Sequence, residues 1–243
     1  MRRIIEMDPE RKRILDMYKG LRVTDVNDAM DIMNHYDLGL MDHDIRPIFR
    51  DVEKFSHAFV GFAHTLRFKP TNKPVTARTP EEQKEFKSKW YKELAPGPKM
   101  PIEEGDVIVI DGTDTHVGFA GSNNTFAWIL NGAVGVVTNG AARDSDELIR
   151  QKCPVYCKRF VATVRPSRLE FDAEQVSITC GGVQVNPGDI VVADGDGVVV
   201  VPRAIAEDVA KYAREIANDD RRARRRLYEK AGLPLDETVE ELP

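Results

Sequence analysis

From residue 105 onward, short apolar runs alternate with amphipathic ones. GDVIVIDG (105–112), AVGVVTNG (133–140) and PVYCKRF (154–160) are rich in β-branched residues, bounded by Gly, Pro or Asn, and as long as a buried strand. Between them, TFAWILNG (125–132) and SDELIRQ (145–151) read as helices, and Gly132 stops the first. Strand, helix, strand, helix, strand predicts parallel pairing through right-handed crossovers. The segment VSITCGGVQVNPGDIVVADGDGVVVVP (176–202) has a different rhythm. Its short strands are separated by NPGD and DGDG, which predicts antiparallel hairpins. GDVIVIDG and GDIVVADG echo each other. Two copies are too few for a repeat array, so they mark one device used twice, a turn entering a buried strand.

Upstream, residues 9–19 predict a helix ended by Gly20. A second helix, capped by Thr24 or Asp25, carries Val26, Ala29, Met30 and Met33 at helical spacing. HDIRPIFRD (43–51) reads as loop and turn, and FSHAFVGFAHTLRF (55–68) as a strand. Residues 69–104 interrupt the pattern. A polar, proline-containing stretch leads into EEQKEFKSKWYKEL, where Phe86, Trp90 and Leu94 form one apolar stripe on a short helix. Packing against the domain is the simplest use of that stripe; an insertion of this length also suits a lid or a subunit contact. Residues 203–231 form one long helical pattern ending in DDRRARRRLYEK. Its arginines read as a solvated face, with Asp219 and Asp220 offsetting the charge locally.

Composition narrows the classes. The 243 residues suffice for a sizeable core, and 42% hydrophobic with 31% charged is ordinary for a soluble globular chain. A net charge of −5 provides no global basic field for nucleic acid. No apolar run reaches membrane-span length, and the charged N-terminus lacks a signal-peptide core, so the expected location is cytoplasmic. Cys153, Cys157 and Cys180 are odd in number and read as reduced structural thiols; His35, His43, His57, His64 and His116 form no HxH or HExxH.

Chemistry concentrates in two turns, DGTDTHVGFAGSNN (111–124) and NGAARD (139–144). In an α/β sheet both fall at the carboxyl ends of strands, where ligands bind. Gly121-Ser122-Asn123-Asn124 leaves backbone amides free at a helix N-terminus, a place for a carboxylate or phosphate. Arg143 can hold an anionic oxygen at two points, and Asp144 a hard cation such as Mg2+ that keeps its waters. The competing reading is purely structural: Asp144 and Glu147 have nearly capping-box spacing, and Ser122 and Asn123 suit an N-cap.

Gly121, followed after 21 residues by Arg143-Asp144-x-x-Glu147 with Gly132 and Gly135 between, resembles the RraA-like family. Its enzyme branch holds the class II 4-hydroxy-4-methyl-2-oxoglutarate and 4-carboxy-4-hydroxy-2-oxoadipate aldolases. VNDAMD, IRPIF, CPVYCKRF and GGVQVNPGDIVVADGDGVVVVP also fit the pattern, which covers most of residues 21–232 apart from the insertion at about 69–98. The resemblance implies one α/β domain over residues 1–243, a swivelling β/β/α fold with N-terminal helices and a long C-terminal helix. It implies a homotrimer or a hexamer with sites between subunits. It also implies a lyase acting on 2-oxo acids, with Mg2+ or Mn2+ as cofactor and no nucleic-acid or membrane partner. On the matching positions, Asp144 holds the metal, Arg143 contacts the keto oxygen, and Gly121, Ser122, Asn123 and Asn124 bind the substrate carboxylate. Asp28 is an acid lent by a neighbouring subunit, and Asp219 or Asp220 is a further one. The expected reaction is retro-aldol cleavage of a 4-hydroxy-2-oxo acid to pyruvate, with oxaloacetate decarboxylation as a side activity. Two alternatives remain on the same scaffold: an RNase E-binding regulator without catalysis, and a sugar-acid lyase or hydratase. The chain departs from the aldolase pattern after Gly121, where Ser122 replaces an acid. His116 is a substitute proton carrier on this reading, competing with its being a plain surface residue.

Overall fold

The computed structural model describes residues 7–243. Helix α1 (Pro9–Tyr18) is capped by Asp8, whose carboxylate accepts the amides of Glu10 and Arg11 at 2.9 and 3.1 Å. Helix α2 (Val23–Ile32) starts before the expected cap residues. Its Val23 amide is satisfied from a distance by Asp194 Oδ2 at 2.8 Å, so Thr24 and Asp25 lie inside the helix. Asp25 instead reaches back to the Arg22 amide at 2.9 Å.

The strands follow as β1 (Arg46–Pro47), β2 (Phe59–Pro70), β3 (Asp106–Asp111), β4 (Gly118–Ala120), β5 (Ala133–Ala142), β6 (Val155–Phe160), β7 (Leu169–Glu174), β8 (Ile178–Cys180), β9 (Val183–Val185), β10 (Ile190–Asp194) and β11 (Gly197–Val201). Nine of them make one mixed sheet, ordered β1-β6-β5-β3-β2-β10-β11, with β4 on β5 and β7 on β2. As the alternating pattern predicts, β3, β5 and β6 are parallel neighbours, whereas β10–β11 and the separate β8–β9 pair are antiparallel hairpins. Part of the expected 43–51 loop pairs after all, with Arg46 opposite Cys157. Leu40 bridges Val199, and Arg46 donates to the Asp196 carbonyl at 2.7 Å, so the two ends of the sheet nearly meet.

The echo of GDVIVIDG in GDIVVADG is one device built twice. Asp106 and Asp189 are both buried, and each accepts the amide three residues before it, Glu103 at 2.9 Å and Asn186 at 2.8 Å. Each follows a glycine at positive φ, +85° for Gly105 and +83° for Gly188, a conformation that admits few other residues.

Helices α1, α2 and α6 (Ala206–Ala231) cover one part of the sheet, packing Ile14, Met30, Val209 and Ala213 on Phe62, Ile190 and Val199. Helices α4 (Ser122–Leu130) and α5 (Ser145–Arg150) cover Ile108, Ile110 and Val136 together with the insertion. There α3 (Pro80–Lys89) runs into a wide π turn over Trp90–Leu94. Trp90 is buried, its Nε1 donates to the Leu169 carbonyl at 2.9 Å, and Phe86 and Leu94 pack on the same cluster, as the stripe predicts.

The basic end of α6 does more than face solvent. Asp219 pairs with Arg222, and Asp220 with Arg22 at 3.0 Å. Arg214, Arg221 and Arg224 donate to main-chain carbonyls of residues 237–243, which fold back along the helix and bury Val239. Among the described residues no helix is long and apolar enough to cross a membrane.

Candidate active site

Strands β4 and β5 run parallel and deliver their carboxyl ends to one place, where the Arg143 amide donates to the Ala120 carbonyl at 2.9 Å. The expected turn at Asn139-Gly140 is instead the middle of β5. A shift of register between Thr138 and Ala141 bulges the strand there, and the Gly140 amide is held by Thr138 Oγ1 at 2.9 Å. Glycines then let the Arg-Asp pair lie close to the backbone. A Cβ on Gly121 would sit 3.1 Å from Asp144 Oδ2 and 3.3 Å from Arg143 Cγ.

Asp144 is the informative residue. Its backbone is left-handed, at φ 56° and ψ 43°, and its carbonyl starts α5 by accepting the Leu148 amide at 3.1 Å. Its side chain does not cap that helix, and Glu147 makes no capping box with it. The carboxylate turns instead to the N-terminus of α4, where it accepts the Ser122 amide at 3.2 Å and the Ser122 hydroxyl at 3.3 Å. The N-cap of α4 is Gly121, which has no side chain to offer, so Asp144 supplies the negative charge that the helix end favours. Arg143 Nε donates to its other oxygen at 3.1 Å. Partial burial pushes the Asp144 carboxyl up, but the Arg143 and Ser122 bonds outweigh it and hold the group below the usual carboxylate range.

Both side chains border an open cleft of about 460 Å³, walled also by Asp146, Glu147, Phe160 and Val161. Asn123 and Asn124 are exposed on the first turn of α4, where helical amides have no acceptor of their own. Gly121, Ser122, Arg143 and Asp144 are therefore brought together, with Asn123 and Asn124 beside them.

Asp28 is not in this cluster. It lies on α2, where burial first, then Asp31, Asp25 and Asp220, raise its carboxyl above the ordinary value. Asp220 is held by Arg22 and, with Asp25, lies in a second locus with Asp28, whereas Asp219 pairs with Arg222. His116 is exposed; its carbonyl accepts the Thr163 hydroxyl at 2.5 Å. The insertion packs behind α4, where a Cβ on Gly97 would lie 3.5 Å from the Trp128 ring, and contributes nothing to the walls of the cleft.

Several contributors have no local signature. Asn139, inside β5, accepts the Gly112 amide at 2.7 Å and donates to Asp111 at 3.2 Å, fixing the loop after β3. The asparagine before a glycine was the only signal, and it reads as a turn. Asp42, His43 and Asp44 bring ligand atoms within 4.8 Å of one another, although Asp42 is also held by Lys158 at 2.8 Å. Asp144 offers an ionised carboxylate at a cleft whose other acidic side chains, Asp146 and Glu147, are also oxygen donors and which, among the described residues, has no Cys or His in its wall. That donor set suits a hard cation keeping most of its waters, and does not suit a closed zinc centre.

A family model described as RraA-like, aldolase/RraA, matches residues 23–200. A Halalkalibacterium halodurans protein provisionally named 4-hydroxy-4-methyl-2-oxoglutarate aldolase is 35% identical over 117 residues, 48% of this chain and 55% of that protein. A Deinococcus radiodurans protein of the same provisional name is 35% identical over 99 residues, 40% of this chain and 61% of that protein. The chain thus spans about half the length of the curated relatives it matches. Among solved structures, an uncharacterized Pseudomonas syringae protein superposes with a TM-score of 0.69 at 25% identity, covering 94% of this chain and 98% of the other. Streptomyces coelicolor RraAS2, described as an unusual member of the RNase ES inhibitor RraA family, shares the fold with a TM-score of 0.68 at 21% identity, covering 90% and 98%. With the family model spanning both strands that carry the cleft and most of the sheet around them, the chain belongs to the RraA-like family.

Proposed function

We propose that this protein is a divalent-cation-dependent lyase that cleaves a 4-hydroxy-2-oxo acid to pyruvate. The observation that carries the reading is Asp144. It adopts a left-handed backbone and leaves its own helix uncapped, and its carboxylate lies with Arg143 at the joint end of two parallel strands. The provisional aldolase names of the relatives agree with this chemistry.

In this reading the amides of Asn123 and Asn124 bind the substrate carboxylate at the α4 N-terminus. Arg143 donates to the 2-keto oxygen and stabilises the enolate that forms when the 4-hydroxyl gives up its proton, C4 becomes the carbonyl of the second product and the C3–C4 bond breaks. Asp144 would hold Mg2+ or Mn2+. When bound, the cation supplies Lewis-acid polarisation of the 2-oxo acid. Asp28 of a second copy supplies the acid that protonates the pyruvate enolate, a role suited to a carboxyl already raised by burial and acidic neighbours. Exposed Phe160 in the wall of the cleft, with exposed Phe126 on α4 and Ile149 on α5, favours its being covered by another subunit, in a trimer or hexamer.

Oxaloacetate decarboxylation leaves the same enolate, so one site has two activities. The test is pyruvate release from 4-hydroxy-4-methyl-2-oxoglutarate and from oxaloacetate, with Mg2+ and with chelator. Metal-dependent release from both is expected. Release from neither, by protein that sediments as a folded oligomer, rejects the lyase.

A further inference from the structure

Arg165 is a cation buried without an anion. It is 3% exposed, and among the described residues it makes no ion pair. Its guanidinium donates to the Pro96 carbonyl at 3.2 Å and lies over the rings of Phe68 and Tyr91, at 5.4 and 5.3 Å from their centroids. Tyr91 and Pro96 belong to the insertion. Cation–π contacts recover part of the desolvation cost, but a buried charge is a poor device for stability alone, since an apolar side chain of similar volume often does as well.

The backbone around Arg165 leads straight to the cleft. Val164 bridges Gly118 of β4, and the Thr163 hydroxyl holds the His116 carbonyl at 2.5 Å. A Cβ on Gly118 would meet the Thr163 carbonyl at 2.8 Å on one side and Arg143 Cγ at 3.2 Å on the other. Residues 163–165 therefore back β4, the strand against which the Arg143 side chain rests at Gly118. The insertion also meets α4: Trp90 and Ala95 share a buried cluster with Trp128, and a Cβ on Gly97 would touch the Trp128 ring at 3.5 Å. It thus grips both supports of the cleft from behind, segment 163–165 and helix α4, without entering it.

We propose that Arg165 is a positioning residue: it fastens the insertion, through Tyr91 and Pro96, to the segment that seats Arg143, so that the insertion sets the geometry of the Arg143–Asp144 pair. The mechanical part of this inference stands on geometry. Its catalytic consequence rests on the lyase reading.

Two measurements keep the two apart. The first is amide hydrogen exchange on the full-length protein, comparing native with Arg165→Met and with Tyr91→Leu, which removes one ring from the clamp. The expected result is a Tm shift of no more than about 5 °C, with exchange at least ~10-fold faster at the Ser122 and Arg143 amides. Faster exchange confined to residues 90–97, with 118–122 and 143–144 unchanged, overturns the proposal. If Arg165→Met does not fold, Tyr91→Leu decides by the same criterion. The second is metal-dependent pyruvate release, where kcat is expected to fall about 10–100-fold with KM little changed and partial rescue by Arg165→Lys. An equal loss in Arg165→Lys and Arg165→Met, confined to KM, counts against positioning. A native protein that releases no pyruvate sinks the lyase reading, and the exchange measurement still decides the positioning role.

Discussion

Substitutions at Asp144 separate three things that one residue does: it takes a left-handed backbone, it supplies charge to the end of α4, and it offers a carboxylate to the cleft. The first two have calculable sizes. A carboxylate at a helix N-terminus contributes about 0.5 kcal/mol at a partly exposed position. The Arg143–Asp144 pair, with both side chains about one-third exposed (34% and 32%), contributes about another 0.5 kcal/mol. A non-glycine residue without a polar side chain costs about 1 kcal/mol or more in the left-handed region. Asp144→Ala should therefore destabilise by about 2 kcal/mol, or roughly 4–8 °C in Tm for a chain of this size. Asp144→Gly loses the same ~1 kcal/mol of electrostatics but relieves the backbone, and should fall near the native protein. Asp144→Asn tolerates the left-handed backbone and loses only the charge, so it lies above the alanine variant. On the lyase reading all three lose metal-dependent pyruvate release by at least ~100-fold, regardless of stability. Thermal melts and a coupled pyruvate assay on the set decide. An alanine variant that melts several degrees lower yet keeps native turnover would reduce Asp144 to a cap for α4. A glycine variant as unstable as alanine would refute the backbone argument.

Further outcomes follow from other parts of the chain. His64 is fully buried between Asp106 at 3.3 Å and Glu174 at 2.8 Å. Burial alone would lower its pKa, but the two carboxylates outweigh burial and raise it. Its contribution is thus fully present below the unfolded value of about 6.5 and lost as pH rises through the higher folded value. Denaturant midpoints across that range should fall toward alkaline pH in the native protein and stay flatter in His64→Gln; parallel slopes would contradict the assignment. Trp90→Ala should cost about 3–5 kcal/mol through the cavity and the lost bond to Leu169, read as a shifted urea midpoint. Asp106→Ala and Asp189→Ala each orphan the amide three residues upstream, at about 1–3 kcal/mol. Asp189 also accepts the Arg203 amide at 3.0 Å, but Asp106 should be the more damaging, because its further partners are the cationic Arg11 at 2.6 Å and the buried His64.

Apolar period and turn chemistry alone place most of the architecture. The runs at 107–110, 133–137 and 155–157 are strands because β-branched residues bounded by Gly and Pro have few other uses, and the helices between them dictate parallel pairing. The same local information puts Arg143 and Asp144 at the carboxyl end of a central strand. It misses β4, whose three residues Gly118–Ala120 are too few to show a period and pair only because β5 lies beside them. It also reads Asn139-Gly140 as a turn, because a bulge inside a strand has the composition of one.

What tertiary structure decided is where each polar group finds its partner. Asp144 and Glu147 have the spacing of a cap, and nothing local reveals that the carboxylate turns to Ser122, 22 residues upstream. The arginines of α6 look like a solvated face until residues 237–243 fold back and present carbonyls to them. His64, Arg165 and Asp194 are ordinary letters in the sequence. Burial and partners about 40 to 170 residues away make them an ionic node, a clamp and a remote cap. Backbone conformation is governed largely by neighbours a few residues apart, so the sequence displays it directly. The energy of a buried polar group depends on which atoms surround it in space, and only the folded chain determines those.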